Sequence, residues 1–206
     1  MAALTLGGGG RADGAVLAQT GLFSLNGSCG YVLKPPYLRN VLEDGQAVAA
    51  APPKPIYLEV RVVAARAVPG LEDLLPMGPV VLGASLWGAP ADCARQDYQP
   101  IKPTGLVLHW PDAAGLGFNV AAPQAAILVV ELHELDNTAG GYKRVAFFAA
   151  PVHGLRQGLR WLPLLSAQGG RWPTIHGALS GMLAHISVVE GGRRVSLQRG
   201  SPLRPG

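Results

Sequence analysis

Five histidines (His109, His133, His153, His176 and His185) and two cysteines (Cys29 and Cys93) are the side chains from which a metal centre or a nucleophile would first be built. The histidines show no zinc-like spacing. Cysteine catalysis needs a base beside the thiol, and none is recognisable beside Cys29. The run Gly7–Gly10 offers a phosphate cradle, but the Lys-Ser/Thr of a phosphate-binding loop does not follow it, so it reads as a flexible loop. No Gly-x-Ser-x-Gly elbow is present. Trp87, Trp110, Trp161 and Trp172 are scattered as core anchors are, without the interleaved basic residues of a nucleic-acid platform. The residues therefore assign no catalytic group and no resident cofactor, and no nucleic-acid partner is expected.

Composition bounds the rest. A chain of 206 residues suits one large domain, or one domain with an appendage, and can bury a core without staples. Two cysteines are too few for a disulfide framework and fit a reducing compartment. No apolar run reaches the roughly 18 residues of a membrane span, and the first residues lack the basic and apolar regions of a signal peptide. A cytoplasmic protein is expected. The net charge of +4 favours anionic partners such as phosphate-bearing lipid.

The elements that would position any site read mostly as strands. Ile56, Leu58, Val60 and Val62 alternate with Tyr57, Glu59, Arg61 and Val63, the period of a half-buried strand. Similar runs are 80–87, 127–132, 145–152, 160–165 and 182–189, with turn-rich spacers such as 137–141 between them. No convincing amphipathic helix is seen, and residues 1–20 show little periodicity. Short strands without helical crossovers imply an antiparallel sandwich. Residues 40–55, with Pro52, Pro53 and Pro55, read as a linker. The basic stretch 191–206 reads as a disordered tail.

Residues 26–39, NGSCGYVLKPPYLR, read as a tight turn at Asn26-Gly27, a short apolar run and a stop at Pro35-Pro36. This segment resembles the end of the second catalytic half, the Y box, of phosphoinositide-specific phospholipase C. There the pattern is Asn-Gly-Gly-Cys-Gly-Tyr-Val-Leu-Lys-Pro, and Ser28 is the departure. Residues 57–65 resemble the first strand of that family's C2 domain, and Asp92-Cys93-Ala94-Arg95-Gln96 resembles a loop of the delta-type enzymes. Residues 155–166, LRQGLRWLPLLS, resemble Leu-Lys-Gln-Gly-Tyr-Arg-His-Val-His-Leu-Leu-Ser. Together the resemblance covers about residues 15–190.

The resemblance implies a mainly β fold: an eight-stranded antiparallel C2 β-sandwich over 56–190, after a remnant over 1–39 of the end of an α/β barrel. It implies the hydrolysis of phosphatidylinositol 4,5-bisphosphate to diacylglycerol and inositol trisphosphate, by groups expected upstream of residue 1, so that this chain alone is expected to be inactive. It implies calcium between the apical loops of the sandwich. Gly78 stands where the family carries an Asp, and the acids left for a degenerate calcium site are Asp112, Glu134 and Asp136. Tight calcium binding is not expected. Lys143 and Arg144, near the same apex, are the expected lipid contacts. The implied partners are an anionic, phosphoinositide-containing membrane surface, met as a peripheral protein, and the separate catalytic half. A stand-alone non-catalytic lipid- or protein-binding C2 module is the alternative.

Overall fold

A computed structural model describes residues 11–27, 29–39, 41–43, 46–48, 53–66, 68, 78–136, 141–167, 169–170 and 180–191. Helix α1 (Arg11–Phe23) comes first, and a hairpin of β1 (Val41–Glu43) and β2 (Gln46–Val48) lies in the stretch expected as a linker. Nine further strands follow: β3 (Ile56–Arg66), β4 (Val80–Trp87), β5 (Ala94–Asp97), β6 (Val107–Val120), β7 (Ile127–Asp136), β8 (Gly141–Pro151), β9 (Gly158–Pro163), β10 (Leu165–Ser166) and β11 (Gly181–Glu190). They form two antiparallel sheets, ordered β10-β8-β7-β4-β5 and β6-β3-β11-β9.

Alternation decides which face each strand buries. Leu58, Val60 and Val62 of β3, Ala184 and Ile186 of β11, and Leu116, Phe118 and Val120 of β6 all point inward. Leu82, Ala84 and Leu86 of β4, with Leu128, Val130 and Leu132 of β7, meet them from the other sheet, and together they form one core. At roughly 25 cal/mol per Å² of apolar surface removed from water, this layer supplies most of the drive to fold. An irregularity in β3 between Val62 and Ala64 shifts the pairing with both neighbours, so the inward parity moves to Ala65.

The expected runs all occur, with β7 and β8 extended to Asp136 and back to Gly141. The run expected over 160–165 switches sheets at Leu164: β9 pairs with β11 and β10 with β8. This is how an eight-stranded sandwich shows nine paired segments. Two strands depart from expectation. β5 is an exposed edge, Ala-Arg-Gln-Asp, with no apolar alternation to reveal it. β6 carries Pro111, Gly115 and Gly117, which read as breakers, yet Trp110 is among the largest fully buried side chains.

Helix α1 corrects the expectation that residues 1–20 lack a helix. Its periodicity is hidden because its contact face is built from small residues. A Cβ at Gly14 would collide with the Trp87 ring, and one at Gly21 would lie 2.8 Å from the Ala149 Cβ. The helix axis can therefore approach the sheet closely. Leu17 and Ala18 pack on Ile127, Val129, Phe147 and Ala149, forming a second apolar cluster on the outer face of β7 and β8.

Candidate functional site

The apical end of the sandwich is defined by pairing. Val80 begins β4 opposite Glu134 of β7, and Glu134 stands opposite Lys143 of β8. On the other sheet, Arg66 ends β3 between Val107 of β6 and Gly181 of β11. Ile101 bridges to Val80, and Thr104 bridges to Val107, so residues 101–107 cross this end from one sheet to the other.

The three expected calcium ligands stand on two strands. Glu134 and Asp136 are two apart in β7, whereas Asp112 lies within β6, in the opposite sheet. The side chains of Asp112 and Asp136 lie outside the described residues. Glu134 Oε1 accepts the Gly78 backbone N–H at 2.8 Å. A Cβ at position 78 would lie 2.6 Å from the Leu135 carbonyl oxygen. No carboxylate fits at position 78, where the resembled loop carries one, without moving backbone. Calcium takes six to eight oxygens. Among the described residues no group of three or more His, Cys, Asp or Glu is arranged to hold a metal.

Lys143 and Arg144, adjacent in β8, have different surroundings. Lys143 is exposed. Arg144 is largely covered and turns to the outer face, where Nη1 lies 3.4 Å from Glu131 Oε1 and Nη2 donates to the Ala167 carbonyl at 3.4 Å.

Glu131 is the centre of a charge cluster that sequence reading missed. It is 5% exposed, although it lies on the outer face of β7. Arg95 of β5 reaches it with Nη1 at 3.1 Å and binds Asp97 with Nη2 at 3.0 Å. His133 Nε2 stands 3.4 Å from Glu131 Oε1, long for a hydrogen bond but close for an electrostatic contact. Burial pushes the Glu131 carboxyl up, but His133, Arg95 and Arg144 outweigh it and hold the group below the usual carboxylate range. Burial likewise lowers Arg95, and Asp97 and Glu131 overcome it, so its guanidinium is held more firmly protonated than usual. The cluster lines a cleft with Gly14, Ser85, Trp87 and Cys93. A charged residue in the middle of an apolar run, as in Ile-Leu-Val-Val-Glu-Leu, was the signal available. Lys, Glu, Arg and Asp are almost never fully buried unless paired.

Two other groups organise the frame. Asp92 is 2% exposed and accepts the backbone N–H groups of Ala121 at 2.6 Å and Ala122 at 2.9 Å. It pins the turn before β5 to the end of β6. The Gln96 side chain accepts the Gly117 N–H at 3.0 Å and donates to the Gly117 carbonyl at 2.5 Å, tying the edges of the two sheets together.

The opening motif runs from a tight turn to a 3-10 turn at Pro36–Leu38 and is largely exposed. Cys29 N–H donates to Asn26 Oδ1 at 3.3 Å, and Asn26 Nδ2 donates to the Tyr31 carbonyl. Gly27 and Gly30 have φ of 69° and 80°, so the turn needs residues that tolerate the left-handed region. Beyond it Tyr31, Val32, Leu33 and Leu38 are exposed, Tyr31 by 87%. Val32 and Leu33 border a cavity with Leu22, Pro35, Ile127 and His153.

No family model matches the chain. Among curated proteins it is 33% identical over 153 residues to the human 1-phosphatidylinositol 4,5-bisphosphate phosphodiesterase delta-3, a match covering 73% of this chain and 19% of that protein. The Xenopus laevis delta-4 protein is 27% identical over 176 residues, which are 82% of this chain and 22% of the relative. The chain spans about a fifth of the length of the curated relatives it matches. In solved structures, PLC21 from L. pealei superposes with a TM-score of 0.61 at 20% identity, over 85% of this chain and 21% of that one. PLC21 from S. officinalis gives 0.57 at 21%, over 83% and 21%. These structural likenesses concern the fold alone, and the sequence relatives carry the assignment: the chain belongs to the phosphoinositide-specific phospholipase C family, delta type, and corresponds to its C-terminal part.

Proposed function

We propose that these 206 residues dock a phospholipase C barrel on an anionic membrane and brace the barrel's end, without hydrolysing lipid themselves. The domain division that goes with this is 1–39 as barrel end, 40–55 as connection, 56–190 as C2 sandwich and 191–206 as basic tail. The observation that carries the reading is the seat of α1 on the outer face of β7 and β8. Leu17 and Ala18 are buried there against Val129 and Phe147, so an element from the barrel side is packed on the sandwich and not tethered beside it.

The exposed Tyr31, Val32, Leu33 and Leu38 support the bracing role, because apolar side chains set this close along the chain and open to solvent are what a neighbouring barrel would cover. Lys143, exposed near the apex, supports docking. A cation near an anionic leaflet contributes about 1 kcal/mol. Calcium, which the family resemblance implies, is not assigned to Asp112, Glu134 and Asp136 as a tight site, because three carboxylates fall short of the six to eight oxygens the ion takes. A free-standing lipid- or protein-binding module is less favoured, because the opening motif leaves an apolar surface that the sandwich itself does not use.

The direct test is release of inositol trisphosphate from mixed micelles of phosphatidylinositol bisphosphate with calcium. The purified chain should release none above the blank, and turnover would overturn the non-catalytic reading. Sedimentation with vesicles containing phosphatidylserine should occur equally in calcium and in chelator. Absence of sedimentation in both would overturn the docking role.

A further inference from the structure

Charge is divided unevenly along this chain. Residues 137–206 hold nine of the 17 Lys and Arg but one of the 13 Asp and Glu, so this part carries +8 while residues 1–136 carry −4. From 137 to 189 there is no acid. The fold gathers part of this stretch on one flank. β9 is the outer strand of the four-stranded sheet, and β10, reached through Leu164, is the outer strand of the five-stranded one.

That flank is also where apolar groups meet solvent. Leu159 and Trp161 of β9 are 57% and 43% exposed and point away from the core that Leu162 joins. Arg156, in the turn before β9, is exposed, and so is Arg160, which sits on the other face of this edge strand, opposite Ala184 of β11. The Arg160 guanidinium is held by the Gln157 carbonyl, with Nη2 at 2.7 Å and Nε at 3.0 Å, which fixes where its charge stands. Trp161 rests against Gly181, where a Cβ would lie 2.5 Å from its Nε1. Gly181 pairs with Arg66, a further exposed cation. The family segment resembled by residues 155–166 has Tyr and His where this chain has Leu159 and Trp161, so the resemblance does not account for these two side chains.

The chemistry favours a lipid surface over a protein strand. Tryptophan and leucine beside arginine suit the boundary between headgroups and acyl chains, and clustered cations suit an anionic leaflet. A strand-adding peptide needs a long edge with free donors. β9 has six residues and ends at Pro163, which has no N–H.

We propose that the β9 flank, with Leu159 and Trp161 as apolar contacts and Arg156 and Arg160 as cationic ones, is a calcium-independent binding surface for anionic membranes. This rests on the docking role above and adds which side of the sandwich meets the lipid.

The experiment is sedimentation of the full chain, in chelator, with vesicles of phosphatidylcholine alone or mixed with phosphatidylserine. Wild type should prefer the mixed vesicles. Arg156→Glu with Arg160→Glu should weaken that binding about tenfold, and Leu159→Gln about threefold, with unchanged melting curves. Brominated acyl chains should quench wild-type fluorescence, and Trp161→Phe should remove most of the quenching. If wild type binds neither vesicle, the docking role falls and this proposal with it. If wild type binds and these variants bind equally well while Lys143→Glu does not, docking stands at the apex and the flank is wrong. Equal wild-type binding to pure phosphatidylcholine, or capture by an acidic protein without vesicle binding, also overturns it.

Discussion

Arg95 joins Glu131 to Asp97: one guanidinium, carried on the edge strand β5, bonds a buried carboxylate at 3.1 Å and an exposed one at 3.0 Å. The buried partner makes the cluster a stability element. Breaking it from the Glu131 side leaves Arg144, which is 18% exposed, beside an uncharged group. Glu131→Gln should therefore cost about 2 kcal/mol, read as a shift in the urea midpoint at unchanged slope. Asp97→Asn, at a half-exposed position, should cost well under half of that.

The same carboxylate sets an acid limit. Its pKa is lower in the folded chain than the ordinary 4.5. A depressed carboxyl stabilises the fold above the unfolded pKa, and that contribution is lost as the pH falls through the folded value. Wild type should lose stability as the pH drops below about 4.5. Glu131→Gln should show a flatter dependence in the same window when melting is followed at several pH values. An identical slope in both proteins would show that Glu131 is not the group responsible.

Gly21 limits how far α1 stands from the sheet. Its Cα faces Ala149, with 2.9 Å left between an added Cβ and the Ala149 carbonyl carbon. Gly21→Val should lift the helix, uncover Val129 and Phe147, and cost about 2 kcal/mol as overpacking does. Limited proteolysis should then cut within 11–23 well before the sandwich is cleaved. The control is Gly105→Ala, where an added Cβ meets nothing within 4 Å and the cost is only that of a φ of 78°.

Asp92 should prove structural, although it lies in the segment resembling a loop of the delta-type enzymes. Its two oxygens accept two backbone N–H groups in a buried place. Asp92→Ala orphans both donors and should cost about 1–3 kcal/mol. Amide exchange at Ala121 and Ala122 should accelerate ahead of exchange in β7.

Introducing an acid at the apex should not restore calcium binding. Gly78→Asp places a side chain against the Leu135 carbonyl and the Glu134 side chain. The variant should melt earlier than wild type and show no heat of calcium binding in titration calorimetry. A calcium affinity gained by this one change would refute the steric account of the apex.

Much of the sandwich is legible in the order of residues. The alternation in 56–63, with Leu58, Val60 and Val62 inward, is a local pattern of period two, and local patterns are what a sequence displays. The family is legible too, because NGSCGYVLKP and LRQGLRWLPLLS are distinctive strings in the right order. β5 and α1 are not legible. Edge strand β5 has no buried face, and α1 makes its contact through Gly14, Ala18 and Gly21, whose value lies in being small beside a particular neighbour. The candidate site divides in the same way. That Asp112, Glu134 and Asp136 are fewer acids than the resembled calcium loops carry follows from counting residues. That Glu134 accepts the Gly78 N–H follows from the approach of the segment before β4 to β7, and that Arg144 faces Glu131 while Lys143 faces water follows from strand register, since adjacent residues in a strand point to opposite faces. Sequence alone determined the alternating strands of the sandwich and the kinship. The tertiary structure decided which charges are neutralised, because a charge thirteen or thirty-six residues away becomes a neighbour only when strands pair.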